Sequence, residues 1–173
     1  MKRLAASAAA LLIAAGLNTA SVGAQLRWQT LERFGKRRAW KLHLALITPP
    51  WLLFLASLPG IRTDPRLQFA PRRMLGAAAV LAAAALWLAA VREIGTARVL
   101  NGDAFGTAPP RRIVSGPYRL LRNPIYDSYA LALAGVAMLT GAGGYLALSL
   151  ESLVVLNVVE AVVEERALPR RPA

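Results

Sequence analysis

Four long stretches without a charged residue constrain this chain more than any other feature of its sequence. They cover Leu4–Leu26, Leu42–Ile61, Met74–Val91 and Ser128–Leu150, and Ser152–Val159 extends the last of them. A helix of about 20 residues crosses a hydrocarbon core of about 30 Å, so each of the first three stretches suits one membrane span. The apolar content of 56% also exceeds the level of about 45–50% that is usual in soluble domains. The sequence therefore excludes a soluble domain.

The fourth stretch predicts a pair of helices. Gly141, Gly143 and Gly144 interrupt it, and glycine disfavours the interior of a helix. We therefore expect a helical hairpin with the arms Tyr126–Thr140 and Tyr145–Val163. The predicted fold is an all-α integral membrane bundle of about five transmembrane helices that ends in this hairpin. Its predicted parts are three N-terminal helices in residues 1–100, a motif loop in residues 101–125, and the hairpin with a short tail in residues 126–173.

Charge and composition exclude several classes of function. The net charge of +12 would suit a nucleic-acid binder, but the basic residues lie between the apolar stretches instead of forming one patch. No nucleic-acid partner is therefore expected. The chain has no cysteine, which excludes disulfides and thiolate sites. One histidine, His43, does not supply a metal cluster, and no metal is predicted.

The basic residues also predict the orientation of the chain. Lys2 and Arg3, an apolar stretch and then Val22-Gly23-Ala24 imitate a secretory signal. Cleavage there would export the basic segment Arg27–Lys41, against the tendency of short basic loops to stay inside. With the amino terminus outside, 15 of the 21 Lys and Arg residues lie on the cytoplasmic side and 6 on the outer side. We therefore expect an uncleaved first helix in a bacterial-type inner membrane, with the motif loop and the carboxyl terminus in the cytoplasm.

The longest polar stretch lies within the motif loop. It is Asn101–Asn123, with the sequence NGDAFGTAPPRRIVSGPYRLLRN. Loops on a rigid scaffold often carry function, although a plain connector is the alternative. The hairpin returns to the same side with Asn157, Glu160 and Glu164 on one helical stripe. Arginines before the hairpin and carboxylates after it would suit a zwitterionic or cationic small molecule. Glu151, near the middle of the last helix, has no assigned role.

The motif loop resembles a known family. The run GTAPPRRIVSGPYRLLRNPIY, followed by the hairpin and EERAL, is similar to the pattern of the isoprenylcysteine carboxyl methyltransferase and phospholipid methyltransferase superfamily, from about Gly106 to Leu168. The resemblance implies a membrane enzyme that transfers a methyl group from S-adenosylmethionine to an amphiphilic, lipid-like acceptor, such as an isoprenylcysteine carboxylate or a phospholipid amine. It implies cofactor contacts at Gly116, Pro117, Tyr118, Arg119, Arg122, Asn123, Pro124, Tyr126, Glu164 and Glu165. It indicates no catalytic residue, no substrate-binding residue and no oligomeric state.

The sequence departs from the family pattern in three places. Asn123 stands where many relatives have histidine, and Asp127-Ser128 replaces a pair of small apolar residues. After EERAL the relatives continue with FGxxYxxY and a basic tail that helps to cover the cofactor, whereas this sequence reads PRRPA. A non-catalytic relative is therefore one alternative. An NADPH-dependent membrane reductase, with Arg111 and Arg112 on a nucleotide phosphate, is another.

Overall fold

Helices dominate the described part of the chain. The computed structural model describes residues 2–28, 34–61, 63–64, 70–109 and 113–159. Its α-helices are α1 (Lys2–Trp28), α2 (Lys36–Ser57), α3 (Ala70–Ile94), the single turn α4 (Thr96–Val99), α5 (Pro124–Thr140) and α6 (Gly143–Val159). Short 3-10 turns lie at Leu58–Gly60 and Gly116–Arg119. No strand occurs in the described ranges, and the predicted all-α fold is confirmed.

Three of these helices are long and apolar enough to cross a membrane: α1 as far as Leu26, α2 and α3. The helices α5 and α6 have 17 residues each and form two shorter apolar arms. This arrangement agrees with the predicted membrane bundle. The helix α3 extends the Met74–Val91 stretch at both ends and includes Arg72, Arg73 and Arg92. Long arginine side chains can lie along apolar surface while the charged head reaches water, so a helix need not end where the uncharged stretch ends.

The helices α5 and α6 form the predicted hairpin. Gly141 follows α5 in the left-handed conformation, with φ 71°, and its N–H donates to the carbonyl of Ala137 at 3.0 Å. Glycine adopts this conformation without the penalty that a Cβ would add. Gly143 opens α6, and an added Cβ on Gly144 would lie 2.7 Å from Ile61 Cγ2. The turn is shorter than predicted, because Gly143 and Gly144 belong to the second arm.

The helices α3 and α5 run antiparallel and cross at two glycines. A Cβ on Gly76 would lie 2.7 Å from the carbonyl oxygen of Gly135, and a Cβ on Gly135 would lie 2.9 Å from the carbonyl oxygen of Gly76. Small residues at such crossings let membrane helices approach closely and pack well. Trp87 adds a hydrogen bond from its indole nitrogen to Tyr129 Oη at 3.4 Å. The start of α5 is thereby set against the end of α3.

The bundle turns polar side chains inward and leucines outward. Its buried polar residues, where the structure describes the side chain, are Ser7, Gln25, His43, Asn123, Ser128, Ser149 and Ser152. Leucines on the outer faces of α2 and α3, such as Leu53 and Leu81, are exposed. Such a surface suits hydrocarbon, which offers no hydrogen-bond partner to a polar group.

Candidate functional site

The Gly116–Arg119 turn carries the predicted motif. Gly116 has φ 55°, a left-handed value, and Pro117 follows it with the fixed φ of proline. The N–H of Tyr118 donates to the carbonyl of Ser115 at 3.2 Å, and the N–H of Leu120 donates to that of Pro117 at 3.1 Å. These bonds close a tight turn in which Tyr118 is half-buried and Arg119 is exposed. The sequence GPYR thus forms a hydrogen-bonded turn that exposes the guanidinium group of Arg119.

Glu93 fastens this turn to the end of α3. The hydroxyl of Ser115 donates to Glu93 Oε1, and a Cβ on Gly116 would lie 3.2 Å from Glu93 Oε2. Any larger residue at 116 would therefore press on the carboxylate as well as strain the backbone. Sequence reasoning did not single out Glu93, since it precedes the motif by more than 20 residues and matches no part of it. A carboxylate in the last turn of a helix, where the helix dipole disfavours it, was the available signal.

Asn123 caps the start of α5. Its side-chain oxygen accepts a hydrogen bond from the N–H of Tyr126 at 3.4 Å, and Pro124 occupies the first helical position. Asparagine is among the preferred capping residues, and proline fits the first position because its missing N–H has no partner there. Asn123 and Pro124 are both buried. These two predicted cofactor residues therefore also determine where the hairpin begins.

Contacts between α5 and α6 close the hairpin along its length. The hydroxyl of Ser149 donates to the carbonyl of Ala130 at 2.7 Å. Further along, the side chain of Asn157 lies against Asp127 in the first turn of α5. The amide of Asn157 also donates to the carbonyl of Leu153 at 2.8 Å. The end of α6 that the structure describes therefore meets the end of the motif loop, as the hairpin prediction requires.

The predicted cofactor residues divide into two groups. Eight of them are described and lie on the short path from the motif turn into α5: Gly116, Pro117, Tyr118, Arg119, Arg122, Asn123, Pro124 and Tyr126. The predicted acidic pair, Glu164 and Glu165, lies outside the described residues, as do Glu160 and the Arg111-Arg112 pair. Glu151 is partly exposed on α6.

The charges on this path fit one end of S-adenosylmethionine. Arg119 and Arg122 are exposed guanidinium groups, which bind carboxylates through paired hydrogen bonds. The left-handed Gly116 lets the backbone of the turn come close to a ligand, where a side chain would stand in the way. Among the described residues no group of three His, Cys, Asp or Glu could hold a metal ion.

Comparison with known protein families gives a match. A family model described as phospholipid methyltransferase matches residues 71–171, which is more than half of the chain. The match begins in α3, well before the Gly106 at which the sequence resemblance starts, and leaves α1 and α2 outside. No curated protein and no solved structure matches.

Proposed function

The chain belongs to the phospholipid methyltransferase family, and from this premise we propose that it transfers a methyl group from S-adenosylmethionine to an amphiphilic acceptor in the membrane. The observation that carries the proposal is the closure of the hairpin, in which Ser149 donates to the carbonyl of Ala130 at 2.7 Å and Asn157 lies against Asp127. It holds the first turn after the motif loop against the last described turn of α6. Glu164 follows Asn157 by seven residues, and we therefore assign the acidic pair and the motif loop to one site.

In the proposed site, charged side chains bind the two ends of the cofactor. Arg119 and Arg122 take its carboxylate, because a planar guanidinium group matches a carboxylate with two parallel hydrogen bonds. Glu164 and Glu165 take its positive groups. The wall between them is formed by Gly116, Pro117, Tyr118, Asn123, Pro124 and Tyr126.

Methyl transfer to a carboxylate requires little acid–base chemistry from the protein, whereas an amine or a thiol acceptor must lose its proton. When bound, S-adenosylmethionine would supply a methyl group on a positively charged sulfur, to which a carboxylate, a thiolate or a neutral amine would bond in line as the methyl–sulfur bond breaks and the sulfur leaves as a neutral thioether. The residues of the chain hold the two reactants in line and exclude water, and such positioning contributes up to about 7–11 kcal/mol in well-oriented reactions. The rigid turn at Gly116–Arg119 and the capped start of α5 supply fixed walls for this purpose.

The acceptor is proposed to be amphiphilic, because the site opens at the end of an apolar bundle. Lipid-like molecules reach such a site laterally from the bilayer, past the exposed leucines of α2 and α3. We place the motif loop and the carboxyl terminus in the cytoplasm and the amino terminus outside, in a bacterial-type inner membrane, on the distribution of Lys and Arg. We also propose that the chain divides into N-terminal helices in residues 1–100, the motif loop in residues 101–125, and the hairpin with its tail in residues 126–173.

Equilibrium binding of radiolabelled S-adenosylmethionine to the detergent-purified full chain tests the proposal. We expect Arg119→Ala to weaken binding at least about tenfold, because hydrogen bonds to charged groups contribute about 1.5–3 kcal/mol. Arg37→Ala is the matched control, since Arg37 is an exposed arginine at the start of α2 and should leave binding unchanged. Failure of the unaltered chain to bind at millimolar ligand would end the proposal.

The two rival functions give different results in companion experiments. Protection of the motif loop from trypsin by NADPH, with none from S-adenosylmethionine, would replace the methyltransferase by a reductase. Transfer of labelled methyl groups into membrane extract, separated into lipid and protein fractions, reports the class of acceptor. A chain that binds neither cofactor and transfers no label would be a non-catalytic relative.

A further inference from the structure

Four polar side chains from three segments, the buried His43 among them, form one hydrogen-bonded cluster. Ser21 Oγ lies 2.8 Å from His43 Nδ1, and Asn101 Nδ2 lies 3.2 Å from His43 Nε2. The same Asn101 amide donates to Asn18 Oδ1 at 2.8 Å. Asn18 and Ser21 belong to α1, His43 to α2, and Asn101 to the turn that leads into the motif loop. We refer to these four residues as the His43 cluster.

The hydrogen-bond network assigns the protons of the cluster. Asn101 donates from its amide nitrogen, so His43 Nε2 accepts and the neutral imidazole carries its proton on Nδ1. That proton is donated to Ser21 Oγ, whose own proton goes to the carbonyl of Leu17 at 2.7 Å. Both ring nitrogens are therefore occupied by protein groups. His43 is 1% exposed and its ring centroid lies 4.7 Å from that of the buried Phe105. It has no access to a reactant and is not a catalytic residue.

The backbone of Asn101 is shaped to reach this cluster. Its φ of 58° is left-handed, and no other non-glycine residue in the described ranges has a positive φ. Asparagine tolerates this conformation better than most residues, but it is still a strained one that persists only where its surroundings require it. This conformation places the Asn101 amide nitrogen between α1 and α2, within hydrogen-bond distance of Asn18 Oδ1 and His43 Nε2.

Two further contacts hold the same turn to α2. The indole nitrogen of Trp40 donates to the carbonyl of Leu100 at 2.8 Å, and a Cβ on Gly106 would lie 3.1 Å from Lys36 Cδ. Within the turn, Thr107 Oγ1 donates to the carbonyl of Gly102 at 2.9 Å. The segment Leu100–Thr107 is thus tied to the N-terminal helices and to itself. Seven residues lie between Thr107 and Ser115, where Glu93 fastens the motif turn.

We propose that the His43 cluster clamps the start of the motif loop to α1 and α2 and so positions the Gly116–Arg119 turn for its ligand. His43 and Asn101 are then positioning residues that act through the end of α3, where Glu93 accepts a hydrogen bond from Ser115. The clamp joins helices outside the family match to a segment inside it. The statement that the turn is positioned for a ligand rests on the proposed function, whereas the clamp itself does not.

Hydrogen exchange of the full chain without added ligand tests the clamp. Asn101→Gly keeps the left-handed backbone and removes the amide, so it isolates the side chain. We expect exchange in Leu100–Thr107 and in Gly116–Leu121 to rise roughly tenfold, the ratio that corresponds to one lost buried hydrogen bond of about 1.4 kcal/mol. Ser21→Ala should act in the same direction, whereas Ser21→Thr keeps the hydroxyl and should resemble the unaltered chain. Ser152→Ala, which removes a buried hydroxyl bonded only within α6, is the matched control and should leave both segments unchanged.

The outcomes separate the clamp from the proposed function. Unchanged exchange in both segments of Asn101→Gly would overturn the inference. Faster exchange in Leu100–Thr107 alone would also overturn it, because the cluster would then be local packing without effect on the motif turn. Weaker binding of S-adenosylmethionine by Asn101→Gly, with faster exchange in both segments, supports it. If the unaltered chain binds no S-adenosylmethionine, the proposed function fails while the exchange result still decides the clamp.

Discussion

Glu93 occupies the last turn of α3, where the negative end of the helix dipole disfavours a carboxylate by about 0.3–1 kcal/mol. The hydrogen bond from Ser115 offsets this cost and ties the motif turn to a membrane helix. Asn123 also has two roles, because it caps α5 and belongs to the motif. At this scale the predicted cofactor residues and the residues that shape the backbone are largely the same.

Substitution of Glu93 tests whether it holds the motif turn. Glu93→Ala removes the acceptor for Ser115 and should make the turn several-fold more sensitive to trypsin at Arg119, since a hydrogen bond to a charged group contributes about 1.5–3 kcal/mol. Glu93→Gln keeps an acceptor oxygen and should remain close to the unaltered chain. Equal cleavage rates for all three proteins would show that Glu93 does not restrain the turn.

Substitution of Asn123 tests whether its side chain stabilises the start of α5 as a helix cap. Asn123→Ala should lower the stability of the protein by about 0.5–2 kcal/mol through loss of the cap, measured as a lower midpoint of thermal unfolding in detergent. Asn123→Ser keeps an equally good cap without burying a charge and should retain most of the midpoint. If Asn123→Ser unfolds as early as Asn123→Ala, the cap is not what stabilises the start of α5.

The elements of the fold are joined by close backbone contact as much as by side chains. At the crossing of α3 and α5, Gly76 and Gly135 leave no room for a Cβ between them. This crossing, the left-handed Gly141 and the hydrogen bond from Ser149 to the carbonyl of Ala130 together fix where the hairpin lies. The site depends on the hairpin, so helix packing far from the motif loop also determines its geometry.

Replacing Gly76 by alanine should separate α3 from α5. The new Cβ would lie 2.7 Å from the carbonyl oxygen of Gly135, so backbone has to move, and such overpacking costs about 1–3 kcal/mol. Gly16→Ala is the control, because a Cβ there would meet no atom within 4 Å and alanine favours a helix by up to about 1 kcal/mol. Opposite shifts of the thermal midpoint are expected. A neutral Gly76→Ala would contradict the close crossing.

The sequence predicts elements better than it predicts contacts between them. The apolar stretches and the helix break at Gly141 were readable because helix length and glycine conformation are local properties. The ends of α3 were not, because Arg72, Arg73 and Arg92 stay helical. Contacts such as Asn18 with Asn101 join residues 83 positions apart, and no periodicity indicates them. Glu93 was missed for the same reason.

The whole molecule combines a family segment with two N-terminal helices that the family match does not include. These helices do more than anchor the chain, since Asn18, Ser21, His43 and Trp40 hold the approach to the motif loop. Removal of α1 after Ala24 would take Asn18 and Ser21 away, so that His43 Nδ1 and one N–H of the Asn101 amide lose their partners. Burying such groups unpaired costs about 1–3 kcal/mol each. An amino-terminal tag should accordingly stay on the membrane-bound protein.

Orientation in the membrane is the prediction that involves the entire chain, and the absence of cysteine makes it simple to test. Thr63 and Leu120 are exposed and lie beyond opposite ends of α3. If the basic residues set the orientation, Thr63→Cys faces outward and Leu120→Cys faces the cytoplasm. A maleimide that does not cross membranes should label Thr63→Cys in intact cells, and Leu120→Cys only after permeabilisation. The reverse pattern would place the motif turn outside, away from cytoplasmic S-adenosylmethionine, and labelling of both from one side would show that α3 does not span the membrane.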